Sequence, residues 1–286
     1  MKSGWLNINK PCCVTSTQIV NILKRKFRPK KIGHGGTLDP FASGVLPICV
    51  NEATKTVEYM MDHDKTYLFQ LTFGKETDSY DIDGNVINEN GIVPTENEIL
   101  QVIPNFIGRI KQTPPKYSAI KIDGKRACDI MRDGGNVDIE AREIDIFNIK
   151  YNGFVNENTV EFIVDCGRGT YIRTLGIDIA KSLNCLAFVS KLTRLRVGKF
   201  NIEDSLDAEK IDDLESNLIN INNVLDMPEV VCSDEELKKL SYGIMINKDG
   251  LIENTIYKVL NYNKDNVCFL AKIEGKKMKA IKSFHY

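Results

Sequence analysis

The mixture of strand-like and helix-like patterns along the chain constrains its fold more than any other feature. Tyr67, Phe69, Leu71 and Phe73 recur at every second residue, which predicts a strand with one buried face that ends at Gly74. Other strand-like segments lie at residues 4–9, 143–151, 159–165 and 188–200, and helix-like segments at residues 15–28, 51–61, 95–107 and 170–183. Because the two kinds do not alternate regularly, they favour an α+β fold over a doubly wound sheet.

The chain length and the pattern near the carboxyl end predict two domains. A chain of 286 residues exceeds the usual size of one domain. An acidic stretch, residues 203–226, is predicted as helix and linker, and residues 229–286 combine a short helix at 233–240 with several short strands. We therefore expect a main domain of residues 1–228 and a small, β-rich domain of residues 229–286.

The cysteines, the histidines and the amino-terminal sequence indicate an ordinary cytoplasmic protein. The eight cysteines show no C-x-x-C spacing, and most stand singly among apolar neighbours, which predicts small buried side chains in a reducing compartment. The three histidines show no zinc-like spacing, so no metal is predicted. The start of the chain lacks the apolar region of a signal peptide, and no apolar run has the length of a membrane span.

The distribution of charge is more informative than the net charge of −1. A dense basic run covers residues 24–31. A second basic stretch overlaps a long polar excursion at residues 111–142, and it holds Arg109, Lys111, Lys116, Lys121, Lys125, Arg126 and Arg132. One such run usually forms a solvated surface, but two separate runs favour a partner with a phosphate backbone.

A glycine-rich segment, Gly33-His34-Gly35-Gly36-Thr37-Leu38-Asp39-Pro40, holds a histidine and an acid on a flexible backbone. A dinucleotide-binding loop would need glycine in place of Leu38, and a P-loop would need a Gly-Lys-Ser/Thr ending. Taken alone, Asp39 before Pro40 is most simply a turn residue. The nearby segment Ser79–Gly84 resembles the front of a calcium loop, but Asn90 stands at its closing position, so a turn is the better interpretation.

A longer series of motifs resembles the bacterial TruB family of tRNA pseudouridine-55 synthases. Lys10-Pro11 is followed by the segment from Gly33 to Pro47. Further family-like segments come in the same order at residues 65–67, 73–81, 112–119, 124–126 and 167–174, and the series spans about two-thirds of the chain. The resemblance implies a pseudouridine-synthase fold, with a mixed, largely antiparallel sheet flanked by helices and a carboxyl-terminal PUA-like module. It also implies that residues 111–142 form the family's thumb-like RNA-binding insertion.

The resemblance implies that the enzyme isomerises one uridine in the T-loop of tRNA without a cofactor. The N1–C1′ bond breaks, the base turns and a C5–C1′ bond forms. Asp39 matches the catalytic carboxylate, and Arg173 matches the arginine that pairs with it and keeps it ionised. Tyr67 matches a residue that stacks on the flipped uracil. The sequence leaves open whether Asp39 attacks the sugar, attacks the base or acts as a base at the ribose.

The same resemblance implies a set of substrate-binding residues. Tyr171 and Leu192 match positions that line the pocket, and Asp81 is expected to join the network of Asp39. His34 matches a histidine that fills the space left by flipped-out bases. Lys10 and Pro11 match a structural support of the active-site loop. The remaining predicted contacts, in the thumb-like insertion, are Lys125 and Arg126.

Several alternatives stand beside this interpretation. A pseudouridine synthase of another RNA would carry the same residues, and an RNA-binding or tRNA-folding chaperone would need the basic surfaces but not the trio of Asp39, Tyr67 and Arg173. A nucleotide-binding protein built on the glycine-rich loop lacks the required lysine or third glycine. The tRNA T-stem-loop is the predicted partner, and we expect a monomer with no membrane partner.

Overall fold

Two sheets organise the computed structural model, which describes residues 2–285. The strands that precede the carboxyl-terminal region are β1 (Gly4–Lys10), β2 (Ile32–His34), β3 (Ser43–Val50), β4 (Lys65–Phe73), β5 (Lys75–Thr77), β6 (Val86–Glu89), β7 (Gly108–Gln112), β8 (Lys121–Ile122), β9 (Lys125–Arg126), β10 (Arg142–Asn156), β11 (Thr159–Cys166), β12 (Ala187–Val197) and β13 (Phe200–Asn201). The helices of the same region are α1 (Ser16–Phe27), α2 (Val57–Met61), α3 (Glu96–Val102), α4 (Ala127–Arg132), α5 (Ile172–Ser182) and α6 (Ile221–Val224). Short 3-10 turns cover Asn51–Thr56, Ile103–Phe106, Ile202–Asp204 and Glu215–Asn217.

The large sheet has the order β1-β3-β12-β4-β11-β10-β7, with β2 paired to β3 and β13 paired to β12. Its strand pairs are antiparallel except for β3 and β12, which run parallel. The predicted α+β fold with a mixed, largely antiparallel sheet is therefore confirmed. The strand predicted from alternation is also confirmed, because every second side chain of β4 from Lys65 to Phe73 is buried.

Local sequence explains how α1 and α5 are placed. Thr15 and Gln18 form a capping box, and α1 ends one residue before Arg28, which is left-handed at φ 49°. Helix α5 lies closely on β4 and β12, because a Cβ at Gly176 would come within 3.0 Å of Leu71 Cδ1. The close approach brings the amino-terminal end of α5 to the middle of the sheet.

The carboxyl-terminal residues form a second sheet with its own small core. Its strands are β14 (Glu229–Val231), β15 (Ile246–Asn247), β16 (Ile256–Leu260), β17 (Val267–Glu274) and β18 (Lys277–Ser283), and its helix is α7 (Asp234–Ser241). A separate apolar cluster, which includes Trp5, Phe200, Leu270 and Phe284, joins this sheet to the large one. The boundary at residue 228 and the PUA-like assignment of residues 229–286 stay predictions.

Two expectations differ from the structure. The acidic stretch at residues 203–226 is mostly irregular chain with turns and 3-10 segments, and α6 is a helix of only four residues. Isolated bridges from Ile219 to Trp5 and from Leu206 to Ile8 tie the stretch to β1. Cys12 and Cys13 are exposed rather than buried, since they lie in the turn between β1 and α1. Among residues 2–285, no helix is long and apolar enough to cross a membrane.

Candidate active site

The segment that carries Asp39 is fixed on both sides of the carboxylate. Ser16, at the start of α1, accepts a hydrogen bond from Leu38 N at 2.9 Å and donates to Leu38 O at 3.1 Å. On the other side, the buried Lys10 donates its Nζ to Pro40 O at 3.2 Å and also to two carbonyl groups of the turn before α1. The supporting role expected for Lys10 is therefore confirmed, and Asp39 lies between two anchored neighbours.

Arg173, the second residue of α5, joins two carboxylates in the interior. Its Nη2 donates to Asp39 Oδ1 at 3.2 Å, and its Nη1 lies 3.1 Å from Asp81 Oδ2. The Nε atom is 2.9 Å from Asp39 Oδ2, close enough for an ion pair but not aligned for a hydrogen bond. Arg173 also donates to the carbonyl groups of Ser79 and Tyr117 at 2.9 and 2.8 Å. The guanidinium of Arg173 therefore links the Asp39 segment, the turn of Ser79 and Asp81, and the start of the 111–142 excursion.

The two carboxylates of this network differ in exposure. The side chain of Asp39 is 33% exposed, whereas those of Asp81 and Arg173 are 7% and 4% exposed. Burial raises the pKa of Asp81, and the charge of Arg173 and a hydrogen bond from Ser79 act against this rise. Asp39 is thus the member of the network that a bound molecule can reach, and Asp81 supports Arg173 from behind.

A cavity of about 350 Å³ opens beside Asp39. Its lining brings together five of the predicted residues, namely Asp39, Tyr67, Tyr171, Arg173 and Leu192. Tyr67 lies on the buried face of β4, and burial raises the pKa of its phenol. A larger cavity of about 640 Å³ lies between α5 and the start of the 111–142 excursion, and it contains none of the predicted catalytic residues.

Tyr171 is held in place by residues at both ends of the excursion. The side chain of Gln112 accepts a hydrogen bond from Tyr171 N at 2.8 Å and donates to Tyr171 O at 3.1 Å. The guanidinium of Arg142 lies 5.2 Å from the centre of the Tyr171 ring and donates to Gly169 O. Gln112 and Arg142 are themselves paired between β7 and β10, so the excursion leaves and returns at the edge of the cavity.

Two buried cations of the cavity were not predicted from the sequence. Arg194 donates to Val45 O and Gly36 O at 2.7 and 3.0 Å, and Lys65 donates to the carbonyl groups of Met61 and His63. Burial and the charge of Arg194 lower the pKa of Lys65 to about 8.

The two-residue period of side chains along a strand could have indicated that Lys65 and Arg194 face the same side as the predicted residues. Lys65 lies two residues before Tyr67 on β4, and Arg194 lies two residues after Leu192 on β12. A glycine is required beside Arg194, because a Cβ at Gly44 would lie 2.3 Å from Arg194 O. This contact belongs to the parallel pairing of Gly44 with Arg194, which ties β12 to the start of β3.

The other predicted residues lie outside the cavity lining. His34 is half-buried at the end of β2, and burial lowers its pKa, so the ring is mainly neutral at pH 7. Lys125 and Arg126 are exposed on the short hairpin of β8 and β9, where Arg126 pairs with Asp129 at 2.7 Å. Within the described residues, no group of three or more His, Cys, Asp or Glu side chains is placed to hold a metal ion.

Comparison with known proteins identifies the same fold and family. The family described as "TruB family pseudouridylate synthase (N terminal domain)" matches residues 24–172, more than half of the chain. A protein named tRNA pseudouridine synthase B from Clostridium kluyveri is 41% identical over 256 residues, which cover 88% of each chain. The protein of the same name from Rhizobium etli is 40% identical over 256 residues, which cover 84% of this chain and 82% of the relative.

Solved structures extend the similarity to the whole fold. The structure described as "Crystal Structure of a Cbf5-Nop10-Gar1 Complex" contains a chain that is 26% identical, with a TM-score of 0.73 and coverage of 99% of this chain and 84% of that one. An H/ACA RNP bound to a substrate RNA containing 2′-deoxyuridine also gives a TM-score of 0.73, at 23% identity, and supports the fold alone. The resemblance of the sequence motifs is therefore confirmed, and the chain belongs to the TruB family of pseudouridylate synthases.

Proposed function

We propose that this protein converts a uridine in the T-loop of tRNA to pseudouridine, with Asp39 as the reacting carboxylate. The observation that carries the proposal is the position of Asp39 at the edge of a 350 Å³ cavity, where the buried Arg173 fixes the carboxylate from behind. The names of the relatives, tRNA pseudouridine synthase B, support tRNA as the substrate. The two rivals are a synthase of another RNA and a non-catalytic RNA-binding chaperone.

The lining of the cavity suits a single base that has left its stack. Tyr67, Tyr171 and Leu192 supply apolar and aromatic surface, and among residues 2–285 Asp39 supplies the one carboxylate that lines the cavity. A base stacked in a loop does not present its reacting atoms, so we infer that the uridine flips into this space. His34, which belongs to the glycine-rich segment but lies outside the cavity lining, is proposed to fill the gap that the base leaves.

The chemistry proposed for Asp39 needs no group from outside the RNA and the chain. The carboxylate either forms a covalent bond to the sugar or to the base, or removes a proton from the ribose. In each case the broken N1–C1′ bond is replaced by a C5–C1′ bond within the same nucleotide. Arg173 keeps the carboxylate oxygens in position, and Tyr67 contacts the base. We assign no cofactor and no metal to the reaction.

We infer that the excursion contacts the RNA stem, while the first part of the excursion helps to form the catalytic pocket. Ser118, Ala119 and Ile120 line the cavity, and Tyr117 O accepts a hydrogen bond from Arg173, so the start of the excursion belongs to the site. The exposed Lys125 and Arg126 are suited to contact phosphates. We further propose that the protein acts as a cytoplasmic monomer and that residues 229–286 form a PUA-like module.

Single-nucleotide mapping of pseudouridine tests the proposal. Purified protein is incubated with an unmodified tRNA transcript without a nucleotide cofactor, and we expect product at one T-loop uridine. Asp39→Asn should lower the rate by at least about 100-fold, because the carboxylate makes or breaks bonds, and should leave tRNA affinity nearly unchanged. Asp212→Asn, which changes a fully exposed carboxylate, is the matched control and should keep full activity.

The rivals predict different results in the same assay. Tight tRNA binding without product from the unaltered protein would favour the RNA-binding chaperone. Product in another RNA but not in the tRNA T-loop would favour a synthase with a different substrate. Activity in Asp39→Asn equal to that of Asp212→Asn would show that Asp39 is not the reacting group.

A further inference from the structure

Two adjacent thiols, Cys12 and Cys13, lie in the turn between β1 and α1. Both side chains are exposed, and their sulfur atoms are only 3.2 Å apart. The other cysteines stand singly in the sequence, and those at Cys49, Cys166, Cys185 and Cys232 are buried. The Cys12–Cys13 pair is therefore distinguished by exposure and by the close contact of its sulfur atoms.

The backbone of Cys13 is in the left-handed region, with φ at 63°. This region is uncommon for residues other than glycine, asparagine and aspartate, because the Cβ crowds the neighbouring carbonyl oxygen. A glycine at this turn would remove the crowding, so the cysteine costs stability where it stands. Strained residues of this kind concentrate at functional sites.

The turn that carries the two thiols is attached to the segment of Asp39. The backbone N–H of Cys13 donates to Pro40 O at 2.9 Å, and Cys12 Sγ donates to Phe41 O at 3.2 Å. Lys10 Nζ donates to the same Pro40 carbonyl group. A change in the position of Cys12 Sγ or of the Cys13 backbone therefore acts directly on the two residues that follow Asp39.

We propose that Cys12 and Cys13 form a modification site that hydrogen peroxide oxidises to a reversible disulfide, and that this disulfide displaces the segment holding Asp39. In the first step, the thiolate of one cysteine attacks peroxide and gives a sulfenic acid and hydroxide. In the second step, the thiol of the other cysteine attacks the sulfenic sulfur, the S–S bond forms and water leaves. Together the steps consume two thiols and one peroxide and release two waters.

The contacts of the pair assign the two roles. Cys12 Sγ donates its proton to Phe41 O at 3.2 Å, and a hydrogen bond with Cys13 raises the pKa of Cys12, so Cys12 keeps its proton and acts second. Cys13 is the sulfur that attacks peroxide. The buried Lys10 interacts electrostatically with both sulfurs and with Asp39, and its positive charge favours a thiolate at this turn.

The covalent geometry explains why the disulfide is reversible. Adjacent Cα atoms are about 3.8 Å apart across a trans peptide bond, whereas disulfides usually join Cα atoms that are about 4.4 to 6.8 Å apart. Closing the bond also requires the sulfur atoms to approach from 3.2 Å to about 2.0 Å. The backbone of the turn must shift, Cys12 Sγ must leave Phe41 O, and the strained bond is easily reduced by a dithiol.

Peptide mass mapping tests the modification itself and does not depend on the proposed function. After treatment with dilute peroxide and blocking of free thiols, the peptide with Cys12 and Cys13 should carry no blocking group and should lack the mass of two hydrogen atoms. Treatment with a dithiol should restore both thiols. Cys12→Ser should prevent the disulfide, and Cys128→Ser, which alters a single half-buried thiol, should leave it unchanged. Two free thiols at Cys12 and Cys13 after peroxide would overturn the proposal.

The effect on the Asp39 segment has its own readout, which does rest on the proposed function. Peroxide should lower the rate of pseudouridine formation several-fold in the unaltered protein, and a dithiol should restore it. Cys12→Ser should keep its activity through the same treatment. Full activity in protein that carries the mapped disulfide would overturn the displacement, and equal inactivation of Cys12→Ser would assign the loss to another residue.

Discussion

Two of the arginine–aspartate pairs of the protein have nearly equal length but very different surroundings. Arg173 lies 2.9 Å from Asp39 with 4% of its side chain exposed, whereas Arg126 lies 2.7 Å from Asp129 with 57% exposed. The first pair lies at the cavity beside Asp39, and the second lies on the surface of the 111–142 excursion. The contribution of such a pair to stability is therefore set by burial and not by the distance between the charges.

Solvent is the physical reason for this difference. Water screens the pair on the excursion, so this pair contributes little to stability. In the pocket, loss of the guanidinium would leave the 7%-exposed Asp81 without its cation. The buried charges are thus tied to the fold, while the exposed charges remain free to contact another molecule.

The same substitution at the two arginines should change the free energy of unfolding by very different amounts. Arg173→Met should lower the free energy of unfolding by about 3 to 5 kcal/mol, because Asp81 keeps a buried and unpaired charge. Arg126→Met, the matched control, should leave the free energy of unfolding nearly unchanged. Urea denaturation measures both values.

A double variant separates the charge from the packing of Arg173. In Arg173→Met with Asp81→Asn, the unpaired charge is gone, and part of the lost stability should return. Activity should stay low, since Asp39 still lacks its partner. Equal stability of the single and double variants would assign the loss to the broken hydrogen bonds to Ser79 and Tyr117 instead.

The contribution of the buried Lys10 to stability should depend on pH. Burial lowers the pKa of Lys10 in the folded protein from 10.5 to about 8, although Cys12 and Asp39 act to raise it. Between these two pH values the unfolded chain binds the extra proton, so the contribution of Lys10 to stability should rise with pH, by at most about 1.4 kcal/mol per pH unit.

The difference in unfolding free energy between the unaltered protein and Lys10→Met, measured from pH 7 to 10.5, isolates this contribution from other titrating groups. The matched control is Lys210→Met, which changes a lysine whose side chain is 84% exposed. Its difference from the unaltered protein should stay flat over the same range. A flat difference for Lys10→Met would mean that its ammonium is as well stabilised in the folded protein as in water.

Substitutions at the exposed Lys125 and Arg126 should have the smallest effect on stability and a clear effect on tRNA binding. Lys125→Gln with Arg126→Gln should leave the free energy of unfolding nearly unchanged. Each lost phosphate contact should weaken tRNA binding and reduce the slope of log affinity against log salt by about 0.7 to 0.9. Lys210→Gln is the matched control, and the same salt slope in both variants would place Lys125 and Arg126 on a merely solvated surface.

Local sequence patterns were sufficient to predict those elements whose signals lie within a few residues. The capping box at Thr15 and the alternation of β4 follow from hydrogen bonds and from side-chain direction, which neighbouring residues fix. The irregular course of residues 203–226 did not follow, because its bonds go to β1, about 200 residues away. Its acidic composition suggested helix, and pairing with a distant strand decided otherwise.

By itself, the sequence determined the mixed α+β class, the order of the family motifs and the choice of Asp39, Tyr67 and Arg173 as one set. Only the tertiary structure decided that Arg173 joins Asp39 to Asp81, that Lys65 and Arg194 enter the same pocket, and that Cys12 and Cys13 contact the Asp39 segment. The physical reason is that burial and pairing arise between residues far apart in the chain. A residue type states which charge is present, and the fold determines which charges meet and how much water remains between them.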